Sequence, residues 1–558
     1  MGADNAKRRG MHKPILALIA ALVASPAPAN TLVEHANGIA VDANGHLEHF
    51  SGLLIGNDGK VLRALHAGEA LPKADKIVDV HGQTLLPGFI DAHGHVMDLG
   101  FAALHLDLTG STSLAELQQR LRAYAASHRG DPWLIGFGWN QELWPDKTFP
   151  TAADLDAVVS DRPVVLERVD GHALIANSAA MRAAGVTAAT QAPRGGNIQK
   201  GLFVDAARSL IDYAIPKPTQ EQMDLAFQKA QDILLSFGVT GVGSMSTSLD
   251  DWNSFRRAGD AGRLKVRLMV YLLGLGPLKV VPHPTPWLYD DKLRAVGVKF
   301  FADGALGSRG AWLKQPYADL PGSNGNQLHT DAELRALTGT AASAGFQIAT
   351  HAIGDAANAQ VISTYEWLNG KYGPNRRWRI EHAQIVDCAD LSRIDRGHII
   401  ASMQPTHQTS DRLMAEKRLG LGRLKCAYAW QSMLKTGAKL AFGTDFPVES
   451  PNPFPGLAAG ISRQDMNGQP PGGWFPEQRL TLGQALHAYT RGAAFAGFAE
   501  QKIGDLEPGK WADFLIVDRD LTRASPQELA HIKVLETWVA GKKTWSKPAS
   551  ASRPEPGK

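Results

Sequence analysis

Residues 85–95 of this chain read Leu-Leu-Pro-Gly-Phe-Ile-Asp-Ala-His-Gly-His. The apolar half is typical of a buried strand, and the polar His-Gly-His end follows it immediately. His93 and His95 are two residues apart, so both side chains point to the same side of an extended chain and can bind one metal ion. The alternative is a chance pairing among 19 histidines, but burying two imidazoles without partners would be costly.

Four more strand-like runs end in residues of similar chemistry. They are Lys299 after Gly297-Val298, His351 after Ala349-Thr350, His382 after Glu381, and Asp445 after Gly443-Thr444. Imidazoles and a carboxylate at the carboxyl ends of successive parallel strands are how a barrel collects metal ligands that lie far apart in sequence. The pattern therefore predicts metal-assisted hydrolysis.

The runs that carry these residues belong to a set of eight candidate parallel strands. The set comprises residues 85–93, 238–245, 266–273, 297–303, 346–351, 377–382, 398–405 and 439–445. Helix-like stretches separate most of them, as in an α/β fold with a parallel sheet. We therefore predict a (β/α)8 TIM-type barrel over residues 84–499.

The gap between the first two candidate strands is too long for one helix, which predicts an insertion over residues 105–225. It has its own strand-like runs at 133–137 and 163–167. An insertion on the catalytic face of a barrel usually shapes the substrate pocket, so we interpret it as a lid. Asp170 and His172 follow the second run and are candidate substrate contacts, with an Asp-Gly turn beside a solvent-exposed histidine as the alternative.

Both ends of the chain have the short alternating runs and Asn-Gly or Asp-Gly turns of β-hairpins. These runs and turns occur in residues 30–83 and again in residues 500–548. The two ends are predicted to pair into one small β-sandwich. Residues 549–558 are predicted to be a disordered tail.

The first 29 residues have the pattern of a secretory signal peptide. Lys7-Arg8-Arg9 is followed by an apolar stretch at 15–24 and by Ala27-Pro28-Ala29, a small-x-small cleavage site. We expect export to the periplasm or the medium, with no membrane anchor after cleavage, whether translation begins at Met1 or at Met11. In an oxidising compartment Cys388 and Cys426 can bridge, but the sequence leaves this open.

The charge balance limits the class of partner. The 558 residues carry 58 basic and 55 acidic side chains, a net charge of +3. Nothing in this balance favours nucleic acid, so a small-molecule substrate is expected. The oligomeric state stays open, including a homo-oligomer.

Beyond single motifs, the sequence resembles the amidohydrolase superfamily, in particular amidohydrolase family 3, the branch with YtcJ-like proteins and N-substituted formamide deformylases. The resemblance covers nearly the whole predicted mature chain. It is carried by residues 86–95, 298–309, 351–355, 379–383 and 443–448, with Trp139-Asn140, 170–172 and 507–513 in support.

The resemblance implies a divalent metal centre with one or two ions. His93, His95 and Asp445 would bind the more buried ion. His351 and His382 would bind a second one or, in members with a single ion, serve partly as substrate contacts. Lys299 would bridge the ions if its amine is N6-carboxylated, whereas the alternative is an ordinary lysine paired with Asp303 or another carboxylate. Zinc is expected first because of the imidazole-rich set, although manganese, iron or nickel also suit these ligands.

The activity implied is hydrolysis of a carbon–nitrogen bond, amide or N-acyl, in a small molecule, with Asp445 as the general base. A deaminase, a carbamate or ester hydrolase, or a lyase remains an alternative on the same scaffold, since fold alone does not choose. A non-catalytic metal-binding regulatory protein is the alternative of another class. Asp205 stands where this branch has glutamate, which weakens any transfer of substrate from its relatives.

Four other residues carry weaker hypotheses. Arg309 can hold a substrate carboxylate or form a salt bridge to the lid. His407, after the seventh candidate strand, contacts substrate or lies in a loop. Trp139 is a candidate substrate contact through the resemblance. Glu381 precedes His382 on a strand, so it is expected to point away from the metal and to be structural.

Overall fold

A computed structural model of the chain describes residues 30–193 and 196–548. The predicted signal peptide and the predicted disordered tail lie outside the described residues. Within the described part, none of the helices combines the length and the apolar character needed to cross a membrane.

Seven short strands precede the barrel. They are β1 (Thr31–Glu34), β2 (Asn37–Val41), β3 (Leu47–Phe50), β4 (Gly52–Ile55), β5 (Val61–Leu65), β6 (Lys76–Asp79) and β7 (Thr84–Pro87). The turns β2–β3 and β4–β5 contain Gly45 at φ 79° and Gly59 at φ 80°, a conformation that glycine adopts without steric cost.

The first barrel strand is β8 (Phe89–Gly94), so the predicted strand over 85–93 is divided at Gly88. A Cβ atom on Gly88 would lie 2.2 Å from the Thr240 hydroxyl oxygen. The backbone therefore passes close to a neighbouring strand at this point, which only glycine permits. Residues before Gly88 belong to another sheet, although the apolar run is continuous.

The segment after β8 forms a separate sheet with strand order β13-β14-β12-β11-β10-β9. Its elements are α1 (Val96–Ala102), β9 (Leu106–Asp107), α2 (Leu114–Ser127), β10 (Leu134–Trp139), α3 (Ala152–Asp156), β11 (Val164–Arg168), β12 (Ala173–Ala176), α4 (Ser178–Ala183), β13 (Gly196–Gln199), β14 (Leu202–Asp205) and α5 (Ser209–Asp212). Leu121, Leu134 and Leu166 belong to a hydrophobic core of this segment.

The remaining barrel strands each run parallel to their neighbours. They are β15 (Val239–Thr247), β16 (Arg267–Leu273), β17 (Leu293–Phe301), β18 (Gln347–Ala352), β19 (Arg379–His382), β20 (Ile400–Met403) and β21 (Lys439–Phe442). With β8 they make an eight-stranded sheet. The prediction of an α/β fold around an eight-stranded parallel barrel is confirmed.

Helices accompany these strands. They are α6 (Gln220–Ser236), α7 (Leu249–Asp260), α8 (Asp331–Ser343), α9 (Asp355–Tyr372), α10 (Leu391–Arg396), α11 (Pro405–Leu419), α12 (Trp430–Thr436), α13 (Pro453–Ser462), α14 (Leu482–Tyr489) and α15 (Arg491–Ala496). Short 3-10 turns occur at Gln141–Leu143, Ala206–Arg208, Gly276–Lys279, Pro374–Arg376, Leu421–Arg423 and Pro476–Gln478.

The barrel closes between β8 and the chain that follows β21. The amide of Asp445 donates to the carbonyl of His93 over 2.8 Å, and the amide of His95 donates to the carbonyl of Phe446 over 2.8 Å. The buried Asp91 carboxylate accepts from the Thr444 hydroxyl at 2.7 Å and from nearby backbone amides. These hydrogen bonds between β8 and the chain after β21 therefore fix His93, His95 and Asp445 relative to one another.

The last strands, β22 (Phe514–Val517), β23 (Val534–Val539) and β24 (Lys542–Ser546), join a sheet of order β24-β23-β22-β7-β2-β3, with α16 (Pro526–Ala530) after β22. This sheet combines strands from both ends of the chain. A second sheet has the order β5-β4-β1-β6. Side chains of the two sheets share a hydrophobic core that includes Val33, Leu53, Phe514 and Trp538.

A disulfide joins Cys388 to Cys426, a pairing that the sequence left open. It lies beside a short antiparallel bridge between Ile385 and Ala427. The disulfide therefore links the loop after β19 to the loop before α12.

Candidate metal centre

The six residues predicted to bind metal lie together at one rim of the barrel. They stand near the carboxyl ends of β8, β17, β18, β19 and β21. Ligand-type atoms of His93, His382 and Asp445 all lie within 4.8 Å of one another, and all three residues are buried. Two imidazoles and a carboxylate at this separation suit a divalent transition metal.

Asp445 is the hub of the cluster. Its Oδ1 lies 3.3 Å from His93 Nε2 and 3.2 Å from His95 Nε2, and its Oδ2 lies 4.0 Å from His382 Nδ1. Asp445 has φ 62° and His382 has φ 74°. These left-handed conformations are costly for residues with a side chain, and they concentrate at functional sites.

Lys299 belongs to the same cluster. Its Nζ lies 3.4 Å from His93 Nε2, and the residue is 1% exposed. Burial lowers the pKa of Lys299 to about 8, although Glu381 and Asp445 act in the opposite direction. The alternative partner, Asp303, instead accepts hydrogen bonds from backbone amides, one of them from Gly354 at 2.8 Å. Lys299 therefore has a partly neutral amine beside the metal-type ligands.

Two buried imidazoles of the cluster, those of His351 and His382, are kept neutral. Burial, reinforced by the charge of Lys299, holds the pKa of His351 well below its usual range. Burial and the neighbouring His351 do the same for His382, whose ring centroid lies 4.6 Å away. Neutral imidazole is the form that binds metals.

Glu381 points toward the metal centre, so the prediction that it points away is wrong. Its Oε2 lies 2.7 Å from His93 Nδ1, and Arg379 Nε donates to its Oε1 over 2.8 Å. Glu381 lies on the same side of β19 as Arg379, facing the barrel interior. His382 also reaches the centre because the chain turns into a left-handed conformation there. The carboxylate fixes the His93 ring so that Nε2 faces the cluster.

Gln404 supports the cluster in a similar way, since its Oε1 lies 2.8 Å from His382 Nδ1. Gln404, Arg379 and the orienting role of Glu381 were missed from sequence. The sequence did contain a local signal for Arg379 and Glu381. A buried strand with two charged residues at positions i and i+2 must pair those charges inside the protein.

A cavity of about 1240 Å³ opens above the cluster. Barrel residues such as His93, His382 and Asp445 line one part of it, and residues of the inserted segment, including Trp133 and Phe137, line another. The cavity is large enough for a small organic substrate with an apolar group.

Three of the weaker candidates, Asp170, His172 and His407, line this cavity. His172 Nδ1 lies 2.9 Å from Asp205 Oδ1. Asp205 therefore holds a cavity histidine in place. Asp170 accepts the backbone amide of His172 at 3.1 Å, so the two residues share one turn.

The structure corrects the predictions for Trp139 and Arg309, neither of which lines the cavity. Trp139 is fully buried in the inserted segment, where its Nε1–H donates to the Leu166 carbonyl at 2.8 Å. Arg309 pairs with Asp319 at 2.8 Å, in the same loop. Its guanidinium is therefore engaged by a carboxylate outside the inserted segment and outside the cavity.

Comparison with known proteins agrees with this geometry. A profile described as the amidohydrolase family matches residues 76–544. The chain is 32% identical over 498 residues to the putative amidohydrolase YtcJ of Bacillus subtilis (strain 168), covering 85% of this chain and 91% of that protein. It is 28% identical over 503 residues to N-substituted formamide deformylase of Arthrobacter pascens, covering 85% and 90%.

A solved structure supports the same assignment. The fold is similar, with a TM-score of 0.73 and 29% identity, to an uncharacterized metal-dependent hydrolase from Pyrococcus horikoshii OT3, covering 90% of this chain and 99% of that one. The chain therefore belongs to the amidohydrolase family and has the fold of a metal-dependent hydrolase.

Proposed function

We propose that this protein is a metal-dependent hydrolase that cleaves a carbon–nitrogen bond, an amide or N-acyl group, in a small molecule. The observation that carries the proposal is the convergence of His93, His382 and Asp445 within 4.8 Å beneath a substrate-sized cavity. The names of the relatives, an amidohydrolase and a formamide deformylase, support the bond type.

The residues present fit a metal ion. Asp445 Oδ1 is buried, and the imidazole nitrogens of His93 and His95 that lie 3.3 and 3.2 Å away make no well-directed hydrogen bond to it, which suits an oxygen that binds a cation. The resemblance assigns His93, His95 and Asp445 to a first ion and His351 and His382 to a second, whereas in the structure it is His382 that lies within 4.8 Å of both His93 and Asp445. His382 would therefore stand between the two ion positions. Zinc is the first expectation because imidazole nitrogen predominates. When bound, such an ion lowers the pKa of water and polarises a carbonyl group.

Asp445 is positioned to move the proton. It lies at the hub of the cluster and lines the cavity. Its carboxylate accepts a proton from the attacking water and returns it to the nitrogen of the leaving amine, so one group serves first as base and then as acid. We assign the inserted segment the role of a lid that excludes water from this proton transfer.

Removal of the metal tests the function. The purified chain is expected to contain zinc or another divalent ion, to lose activity on dialysis against a chelator, and to recover it when the ion returns. The assay covers N-formyl and N-acyl amines, N-acyl amino acids, esters, carbamates and aromatic amines subject to deamination. Turnover confined to esters or deamination substrates would favour the other chemistries. Bound metal without turnover of any of them would favour a regulatory role.

We further propose that the neutral amine of Lys299 adds carbon dioxide and loses a proton to become an N6-carboxylate, in which form it would help to hold two ions. Its buried Nζ near His93 would repel divalent ions as an ammonium but would bind them as a carbamate. Lys299→Ala is expected to lower the metal content from two ions to one, measured by elemental analysis, whereas Lys229→Ala, an exposed residue of α6, leaves it unchanged. Two ions retained in Lys299→Ala would refute the bridge.

We also propose that the protein is exported and acts on a small molecule without a nucleic-acid partner. The Cys388–Cys426 disulfide supports an oxidising compartment. Cell fractionation with amino-terminal sequencing checks this: export predicts a mature chain that begins at Asn30. An unprocessed cytoplasmic chain would contradict it.

A further inference from the structure

The arginines that line the cavity are already neutralised. Each one is paired with a carboxylate: Arg168 with Asp170, Arg208 with Glu167, and Arg418 with Asp319. The lining lysines are Lys299 in the metal cluster and Lys217, which is exposed to solvent. The wall near the cluster therefore offers no free guanidinium to an anionic substrate.

Several lining carboxylates have no lysine or arginine partner in the described chain, and Asp411 and Glu449 are two of them. Asp411 Oδ2 accepts from the Tyr428 hydroxyl at 2.9 Å and from Gln384 Nε2 at 2.9 Å, and Glu449 Oε1 accepts from the Ser410 hydroxyl at 2.7 Å. All three donors are neutral. No lysine or arginine of the described chain lies within salt-bridge distance of Asp411 or Glu449. Burial raises the pKa of both carboxyl groups, although the nearby His407 acts in the opposite direction on each.

His407 connects these acids to the metal cluster. It is 9% exposed, it lines the cavity, and its Nε2 is buried without a hydrogen-bond partner in the described chain. That nitrogen lies 3.8 Å from Asp445 Oδ2. An unpartnered polar atom between the helix and the cluster indicates that a polar group of a ligand belongs there.

The spacing along α11 sets the distance between the two positions. His407 and Asp411 are four residues apart, so they lie on one face of the helix, about 6 Å apart along its axis. Ser410, which holds Glu449, lies on the adjoining part of the same turn. A ligand whose polar group contacts His407 can therefore place a second polar group, about one helical turn away, beside Asp411 and Glu449.

We infer that Asp411 and Glu449 form a subsite for an ammonium group, and that the substrate class is an amide carrying a free amine about one helical turn from the bond that is cleaved. The inference rests on the proposed amide hydrolysis. In that reaction water adds to the carbonyl carbon, the C–N bond breaks, and the departing nitrogen takes a proton, giving a carboxylic acid and an amine. The ammonium group at the subsite is unchanged.

Matched amides test the subsite in the full-length, metal-loaded protein. N-(3-aminopropyl)acetamide is compared with the neutral N-butylacetamide and the anionic N-acetyl-β-alanine. A second series places the ammonium group on the acyl side of the amide bond. It compares 4-aminobutanoyl propylamide with the neutral pentanoyl propylamide. In at least one series the cationic member is expected to have kcat/KM about tenfold above its neutral match, because hydrogen bonds to a charged group are stronger than those to a neutral one. The anionic member is expected to fall below the neutral one.

Asp411→Asn and Glu449→Gln should bring the cationic-to-neutral ratio close to one while turnover of the neutral amide is kept, which also shows that the variants fold. Asp250→Asn, an exposed change on α7, serves as the charge control. In the wild type the preference should fall as salt rises. Equal turnover of cationic and neutral probes in both series, or a preference that survives both substitutions, would overturn the subsite.

Binding separates this inference from the proposed function. Titration calorimetry of the same probes on the Asp445→Asn protein measures the preference without hydrolysis. If no amide is turned over but the cationic probe still binds about tenfold more tightly, the hydrolase proposal fails and the subsite stands. If amides are hydrolysed without charge preference, the subsite fails and the hydrolase proposal stands.

Discussion

Asp445→Asn is expected to lower kcat/KM on any amide substrate by at least about a thousandfold. The asparagine side chain has nearly the shape of the aspartate side chain, so packing between β8 and the chain after β21 is preserved. It cannot accept the proton of the attacking water, and it is a weaker metal ligand. Asp445 lies within 3.3 Å of both His93 Nε2 and His95 Nε2. The single substitution therefore removes the proton acceptor and weakens the metal site together.

Steady-state kinetics and elemental analysis of the same sample distinguish the loss of proton transfer from the loss of metal binding. A retained ion with lost turnover assigns the effect to proton transfer, whereas a lost ion assigns it to binding. Asp250→Asn, which makes the same chemical change on the exposed surface of α7, should leave both quantities at the wild-type level. Full activity in Asp445→Asn would refute the role given to this carboxylate.

The barrel and its metal-type residues could be predicted because both depend on local order in the sequence. A buried parallel strand is a short apolar run, and a polar residue at its end is placed at the rim by the topology itself. His351 at the end of β18 and Asp445 after β21 needed no knowledge of their neighbours. The division at Gly88 could not be predicted, because the run is equally apolar on both sides of it.

Contacts across the barrel could not be predicted from local pattern. Glu381 meets His93 over a sequence separation of 288 residues, and alternation along β19 alone suggested the opposite direction. Arg309 meets Asp319 within an irregular loop whose path has no periodic signal. The resemblance predicts a substrate contact at Trp139, but burying the large aromatic ring inside the inserted segment is more favourable than exposing it at a polar site.

Arg267→Met is expected to destabilise the protein by about 3–5 kcal/mol. Arg267, on β16, is fully buried, and its Nε and Nη2 donate to the Asp513 carboxylate at 2.6 and 3.0 Å. This bidentate pair links the barrel to the segment that leads into β22. Methionine fills a similar volume but leaves Asp513 buried without its cation. Chemical denaturation measures the change in the free energy of unfolding.

The pair Arg519 and Glu528 supplies the matched control. It has a similar length, 2.9 Å, but both side chains are about half exposed. Arg519→Met should therefore cost less than about 1 kcal/mol, because water replaces the lost partner. Equal costs for Arg267→Met and Arg519→Met would mean that Asp513 regains solvent when its partner is removed.

Removing both charges tests the source of the energy. If the cost of Arg267→Met is the burial of an unpaired carboxylate, then Arg267→Met with Asp513→Leu should recover much of the stability, since no charge remains to be desolvated. The recovery should be incomplete, because Asp513 Oδ1 also accepts the backbone amide of Ala540 at 2.8 Å, and leucine leaves that amide without a partner. A double variant less stable than Arg267→Met alone would instead place the energy in the hydrogen bonds that hold the terminal sheet against the barrel.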